Sequence, residues 1–205
     1  MSTFAIVTIK RFSAAKQRLG DAIVRPALAE AMMSDVVAAI GRSAAVDQVL
    51  IVSGEAGAAK HGEVIDDPDE GHNPAASRGI AAAVDRGATR VVLLPGDCPL
   101  LDPIELDDLL ADRGSHLVVI ADRHGSGTNG LIIAPPHAIE PAFGEGSCAR
   151  HQRLAADAGV ACTVAEGTSL ALDIDTPEDL SELIAAIDDE RAPNTRAVLL
   201  AEGLL

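Results

Sequence analysis

Asp97, Asp173 and Asp175 are the residues of this chain whose types and places could do chemistry. Asp97 lies in Leu94-Pro95-Gly96-Asp97-Cys98-Pro99-Leu100, directly after the apolar run Val91-Val92-Leu93-Leu94. Asp173 and Asp175 lie in Leu172-Asp173-Ile174-Asp175-Thr176-Pro177-Glu178-Asp179-Leu180, where an apolar β-run is expected to end and a helix marked by Pro177 to begin. In an open α/β sheet the carboxyl ends of the strands border the ligand crevice. Residues two apart in extended chain face the same side, and carboxylates converging at such an edge can hold Mg²⁺ against a nucleotide's phosphates. The chemistry implied is nucleotidyl transfer. Each aspartate also has a plain structural reading: Asp97 as a helix cap or turn residue, and one of the pair as the cap of the helix starting at Pro177. An all-oxygen set favours Mg²⁺ over zinc, because no Cys/His group has zinc spacing.

Three further groups belong to the same question. Lys10, Arg11, Lys16, Arg18 and Arg25 stand against Asp21 alone in residues 10–25 of an otherwise acidic chain. Lys10, Lys16 and Arg18 fall on the loop after the first apolar run, where Arg can grip phosphate bidentately and Lys acts as a point charge. The alternative is a solvated face. Gly125-Ser126-Gly127-Thr128-Asn129-Gly130 and Phe143-Gly144-Glu145-Gly146-Ser147 both offer backbone N–H groups, the second at a helix N-terminus that favours an anion. Neither is a GxxxxGK P-loop, and either alone reads equally as a turn. His151, one turn into that helix, can hydrogen-bond the loop or simply pack. Asn73, before Pro74, can present its amide to a base edge or cap a helix.

Hydrophobic periodicity places these residues. Strands are expected at Phe4–Ile9, Val46–Ser53, Arg90–Leu94, His116–Ala121, Leu131–Ala134 and Val160–Val164. Helices are expected at Arg25–Ile40, from Pro74 to about Arg86, at Pro103–Ala111, briefly after Pro135, at Cys148–Ala158, and at Pro177–Asp188 with Asp175 or Thr176 as N-cap. Alternating strands and helices give an α/β class, a single domain whose mostly parallel sheet is flanked by helices. The domain spans 1–190, followed by a tail at 191–205. Val198-Leu199-Leu200 and Leu204-Leu205 in that tail pack on the body or on a second copy of the chain, as in a homodimer.

Composition narrows the function classes. The 205 residues suffice for one full core. No apolar run approaches a membrane span, and the N-terminus lacks the features of a signal peptide. Cys98, Cys148 and Cys162 are odd in number and lack CxxC spacing, so a reducing cytoplasm is expected. A net charge of −15 argues against a nucleic-acid surface, while the basic island suits a small anionic ligand.

Taken together, these segments resemble the phosphoenolpyruvate / 2-phospho-L-lactate guanylyltransferase family of coenzyme F-420 biosynthesis. The matching pieces, in order, are Val7-Thr8-Ile9-Lys10 with Ala15-Lys16-Gln17-Arg18-Leu19, Gly96-Asp97-Cys98-Pro99-Leu100, Gly127-Thr128-Asn129-Gly130-Leu131, Phe143-Gly144-Glu145-Gly146-Ser147 with His151, and Asp173-Ile174-Asp175-Thr176-Pro177. The likeness runs from about residue 4 to 185. It implies a nucleotide-diphospho-sugar transferase-like, Rossmann-like fold and transfer of GMP from GTP to a phosphorylated three-carbon acid. Phosphoenolpyruvate is favoured, with 2-phospho-L-lactate and 3-phosphoglycerate as alternatives. By the same resemblance Asp97, Asp173 and Asp175 bind Mg²⁺, and Lys10, Lys16 and Arg18 bind the triphosphate. Thr128, Gly144 and Ser147 hold the acceptor, and Asn73 lies near guanine. Departures are Thr8 where Pro is usual, Cys98 where Leu is common, and Gly71-His72-Asn73-Pro74 for the usual Gly-Leu-Asn-Ala. A molybdopterin guanylyl- or cytidylyltransferase carries a glycine-rich signature after its first strand, whereas Lys10-Arg11-Phe12-Ser13-Ala14-Ala15-Lys16 has no glycine. A nucleotide-binding module without turnover is the remaining rival.

Overall fold

The computed structural model describes residues 1–9, 25–111, 116–188 and 190–205. Its apolar runs become strands β1 (Thr3–Thr8), β2 (Gln48–Ser53), β3 (Glu63–Asp66), β4 (Arg90–Pro95), β5 (Leu117–Ala121), β6 (Thr128–Ile133) and β7 (Cys162–Ala165). They form one seven-stranded sheet of order β3-β2-β1-β4-β6-β5-β7. β6 runs antiparallel to β4 and β5, and the other neighbours pair in parallel.

Parallel strands joined by helical crossovers are covered on both faces, and so they read as continuous apolar runs. The period-2 alternation then sorts each strand between two cores. Phe4, Ile6, Val91 and Leu93 turn toward α2 (His72–Asp85) and α4 (Ser147–Asp157). Ala5, Val7, Val92 and Leu94 turn toward α1 (Arg25–Ile40) and α3 (Pro103–Ala111). Gly79 lets α2 lie directly on the sheet: a Cβ there would stand 2.4 Å from Ile6 Cγ2 and 2.9 Å from Val52 Cγ2.

A third apolar cluster joins Leu28 and Met32 of α1 to Leu100, Ile174, Leu183 of α5 (Pro177–Ala186) and Leu199 of α6 (Pro193–Ala201). The C-terminal tail therefore lies on the body. Its helix is anchored through its first turn: Asp35 of α1, only 4% exposed, accepts from the backbone N–H groups of Asn194 and Thr195, from Asn194 Nδ2 and from Thr195 Oγ1, at 2.6–3.1 Å. A carboxylate there satisfies orphan N–H groups and complements the helix dipole.

Three local expectations need correcting. β3 is an edge strand that the sequence reading passed over. β6 starts at Thr128, so half of the glycine-rich segment is strand rather than loop. No helix follows Pro135; residues 134–142 are irregular, with one turn at 136–137 in which Ala138 N–H donates to the Pro135 carbonyl. Pro141 bars its predecessor from helical backbone, which leaves too few residues for a helix.

Candidate active site

The crevice lies at the ends of β1, β4 and β6, bordered by Thr8, Pro95, Thr128, Asn129, Phe143 and His72. Asp97 sits in the turn that follows β4. The next helix, α3, is capped by Asp102 instead, whose Oδ1 accepts from Ile104 N–H at 2.8 Å. The backbone carbonyl of Asp97 accepts from Ile174 N–H at 3.1 Å, which docks the 173–175 segment against the Asp97 turn. Ile174 is buried in the third cluster, with Asp173 and Asp175 on either side of it in the chain. Two distant parts of the sequence thus bring their aspartates to one place, as expected.

The capping question at α5 is also settled. Thr176 is the N-cap: its Oγ1 accepts from Asp179 N–H at 3.3 Å, and Asp179 Oδ2 accepts from Thr176 N–H at 2.7 Å, a capping box with Pro177 in the first turn. Asp175 is therefore not needed as a cap. Asp173 has its carboxyl pushed above the ordinary carboxylate range by burial and by the negative charge of Asp97, opposed by a hydrogen bond from Asn129, with Asp175 adding to the rise. A carboxylate perturbed by like charges in a crevice is a mark of functional sites. Among the described residues, no three His, Cys, Asp or Glu side chains form a preassembled metal cage. The oxygen donors suit a hard divalent cation held by one or two carboxylates together with ligand phosphates.

Two residues without an assigned role prove to position these aspartates. Asn129, 8% exposed, donates from Nδ2 to the carbonyls of Leu170 (2.8 Å) and Ala171 (3.2 Å) and to Asp173 Oδ1 (3.1 Å). Arg123, after β5, pairs with Asp179 at 2.5 Å and Glu182 at 2.8 Å, and its N–H donates to the Ala171 carbonyl. Asn129 stood inside a noted motif; nothing local to Arg123 signalled its partners.

Burial raises the Asp179 carboxyl, but the N–H groups of Thr176 and Asp175, the Thr176 side chain and Arg123 outweigh it and hold it below the usual range. A lowered folded-state value means stabilisation present above the ordinary carboxylate range and lost as pH falls through the lowered value. Asp179→Ala is expected to cost about 2–3 kcal/mol at neutral pH, with the deficit closing under acid. Urea unfolding at both pH values measures it.

Thr128 and Ser147, which the resemblance assigns to the acceptor, are hydrogen-bonded to each other. Ser147 Oγ donates to Thr128 Oγ1 at 3.0 Å. Gly144 adopts φ +120°, a backbone that favours glycine, with no atom within 4 Å of a Cβ placed there. The backbone offers fewer donors than the glycines implied, because Ser147 N–H donates to the Gly144 carbonyl and Cys148 N–H to that of Ser126. Asn73 is engaged by the protein itself. Its Oδ1 accepts from Phe143 N–H at 2.7 Å and its Nδ2 donates to the Phe143 carbonyl at 3.3 Å, so both ends of the amide pin the 143–147 loop. Lys10, Lys16 and Arg18 lie outside the described residues.

The family model described as "Guanylyl transferase CofC like" matches residues 3–198. A phosphoenolpyruvate guanylyltransferase of Conexibacter woesei is 48% identical, over 97% of this chain and 96% of the relative. A 2-phospho-L-lactate guanylyltransferase of Methanothermobacter thermautotrophicus is 33% identical, over 90% of this chain and 85% of its own. A 3-phospho-D-glycerate guanylyltransferase of Phenylobacterium zucineum is 36% identical, over 87% and 88%. Among solved structures, a Desulfovibrio desulfuricans G20 protein described as a nucleotide-diphospho-sugar transferase superposes with a TM-score of 0.78 at 17% identity, over 100% of this chain and 96% of its own. That likeness bears on the fold.

Proposed function

The chain belongs to the guanylyl transferase CofC-like family, and from that premise we propose that it transfers GMP from GTP to the phosphate of a three-carbon phospho-acid, releasing pyrophosphate, as a step of coenzyme F-420 biosynthesis. Phosphoenolpyruvate is the favoured acceptor, as in the name of the 48% identical relative. The observation that carries the reading is the docking of Asp173-Ile174-Asp175 on the Asp97 turn after β4, with Asn129 tying Asp173 to the strand that carries Thr128.

The reaction is an in-line displacement. An oxygen of the acceptor's phosphate bonds to the α-phosphorus of GTP while the bond from that phosphorus to the α,β-bridging oxygen breaks. A phosphate monoester has its second pKa near ~6, so the nucleophile is already largely dianionic at neutral pH and needs no general base. The barrier lies in bringing two polyanions together and holding them in line. Asp97, with Asp173 and Asp175, would hold Mg²⁺; burial first and then the charge of Asp97 raise the proton affinity of Asp173, and a divalent cation would offset both. When bound, that ion supplies charge neutralisation on the phosphate oxygens. Thr128, braced by Ser147, orients the acceptor acid, and the resemblance assigns Lys10, Lys16 and Arg18 to the triphosphate.

Pyrophosphate release with GTP and Mg²⁺ tests this, with phosphoenolpyruvate, 2-phospho-L-lactate, 3-phosphoglycerate or no acid. Release that depends on one acid is expected. GTP binding without release from any of them would overturn the reading in favour of a non-catalytic module.

A further inference from the structure

His151 is completely buried in α4, and each of its ring nitrogens has a partner. Ala142 N–H donates to Nε2 at 3.0 Å, so Nε2 presents its lone pair. Burial, with Arg150 adding to it, lowers the imidazole to about 4, and the ring is neutral at physiological pH. Its single proton therefore sits on Nδ1, 3.1 Å from Thr128 Oγ1. Thr128 Oγ1 also accepts from Ser147 Oγ, which is 1% exposed.

The proton count decides what faces the crevice. Nδ1–H and the two hydroxyls bring three hydrogens to two internal contacts. Both lone pairs of Thr128 are occupied, so its own O–H is the hydrogen left over, and Thr128 is the member of the trio that borders the crevice. The opposite tautomer would reverse this. Thr128 would have to donate to Nδ1, and only a lone pair would remain to meet a ligand.

We propose that His151 is a positioning residue that, fixed as its Nδ1–H tautomer by Ala142, locks the Thr128 hydroxyl as an outward donor to an anionic oxygen of the acceptor acid. This rests on the guanylyltransferase reading and adds to it a residue that touches no substrate. The edge contact of Phe143 on the imidazole, centroids 5.3 Å apart, helps hold the ring in place.

The test has two arms on the full chain. In ¹⁵N-labelled protein, long-range nitrogen–proton correlation should show His151 protonated at Nδ1 only; an Nε2–H tautomer would overturn the proposal. In kinetics with phosphoenolpyruvate, His151→Phe should raise KM for the acid about 10- to 100-fold, while KM for GTP stays within about twofold. His151→Asn, whose amide N–H can replace Nδ1–H, should recover much of that loss. Thr128→Val should match His151→Phe, and the double variant should add little to either. A folded His151→Phe protein with unchanged KM, or additive losses in the double variant, would overturn the proposal. If His151→Phe does not fold, the nitrogen spectrum of the parent protein decides. If the parent turns over none of the acids, the functional reading fails by itself, and that same spectrum still decides the role of His151.

Discussion

Asp97→Asn lowers pyrophosphate release by about 10³-fold or more while the thermal midpoint stays within a few degrees of the parent. The two halves of this expectation have separate physical grounds. Asp102, not Asp97, caps α3, and the contact that docks the 173–175 segment uses the backbone carbonyl of residue 97. Asparagine keeps that carbonyl and the shape. It removes a negative charge from a set of three in which Asp173 already has its proton affinity raised by Asp97. If those charges hold Mg²⁺ against the phosphates, losing one removes several kcal/mol of transition-state stabilisation, since no general base takes over. Asp175→Asn should behave alike, because its carboxylate is exposed and Thr176 caps α5. Near-parental rates in both folded variants at saturating GTP and acid would remove the carboxylates from the mechanism. A fall in thermal midpoint parallel to the fall in rate would make them structural instead.

The same residues show how far the sequence could be read. An apolar run and a Gly-Asp turn are local signals, and they placed Asp97 just past a strand end without knowledge of the sheet order; no strand leads into Asp173 and Asp175, which lie in the irregular segment between β7 and α5 and reach Asp97 through the Ile174 N–H. The N-cap at α5 stayed open between Asp175 and Thr176 because both side chains can cap; the reciprocal hydrogen bonds of Asp179 decide it. β3 escaped notice because it has four residues, none fully buried, so its alternation carries little signal. The antiparallel insertion of β6 between β4 and β5 is a long-range pairing that no local pattern encodes. Asn73 stayed open for a related reason: an amide before proline can reach a base, a helix end or a distant loop, and only the fold brings Phe143 within 2.7 Å of it. His151 was legible as a choice between loop contact and packing. The structure gives it both, through Thr128 and Phe143.

Asn129→Asp is expected to be among the most damaging single-atom changes in the protein. The Nδ2 group of Asn129 faces only acceptors: the carbonyls of Leu170 and Ala171 and Oδ1 of Asp173, all within 3.2 Å. Replacing that NH₂ by oxygen sets an uncompensated charge, 8% exposed at most, against two dipoles and a carboxylate that burial and Asp97 already strain. Leaving a buried charge without a partner costs about 3–5 kcal/mol. Asn129→Leu removes the donor without adding a charge and should cost about 1–3 kcal/mol, the desolvation of carbonyls left unpaired. The order of the two variants in urea unfolding is the test, because a role in packing alone would make the isosteric aspartate the milder change. The sign of the pH effect is a second check. The introduced carboxylate binds its proton more tightly in the folded state, so its penalty is full at neutral pH and fades as pH falls toward the unfolded carboxylate value of about 3.9, where the protonated group can donate again. Asn129 follows Thr128 in β6, so neighbouring residues of one strand anchor the carboxylate side and the hydroxyl side of the crevice. A shift of that strand moves both sides together, which is why Asn129→Leu, even where it folds, should lose turnover out of proportion to its loss of stability.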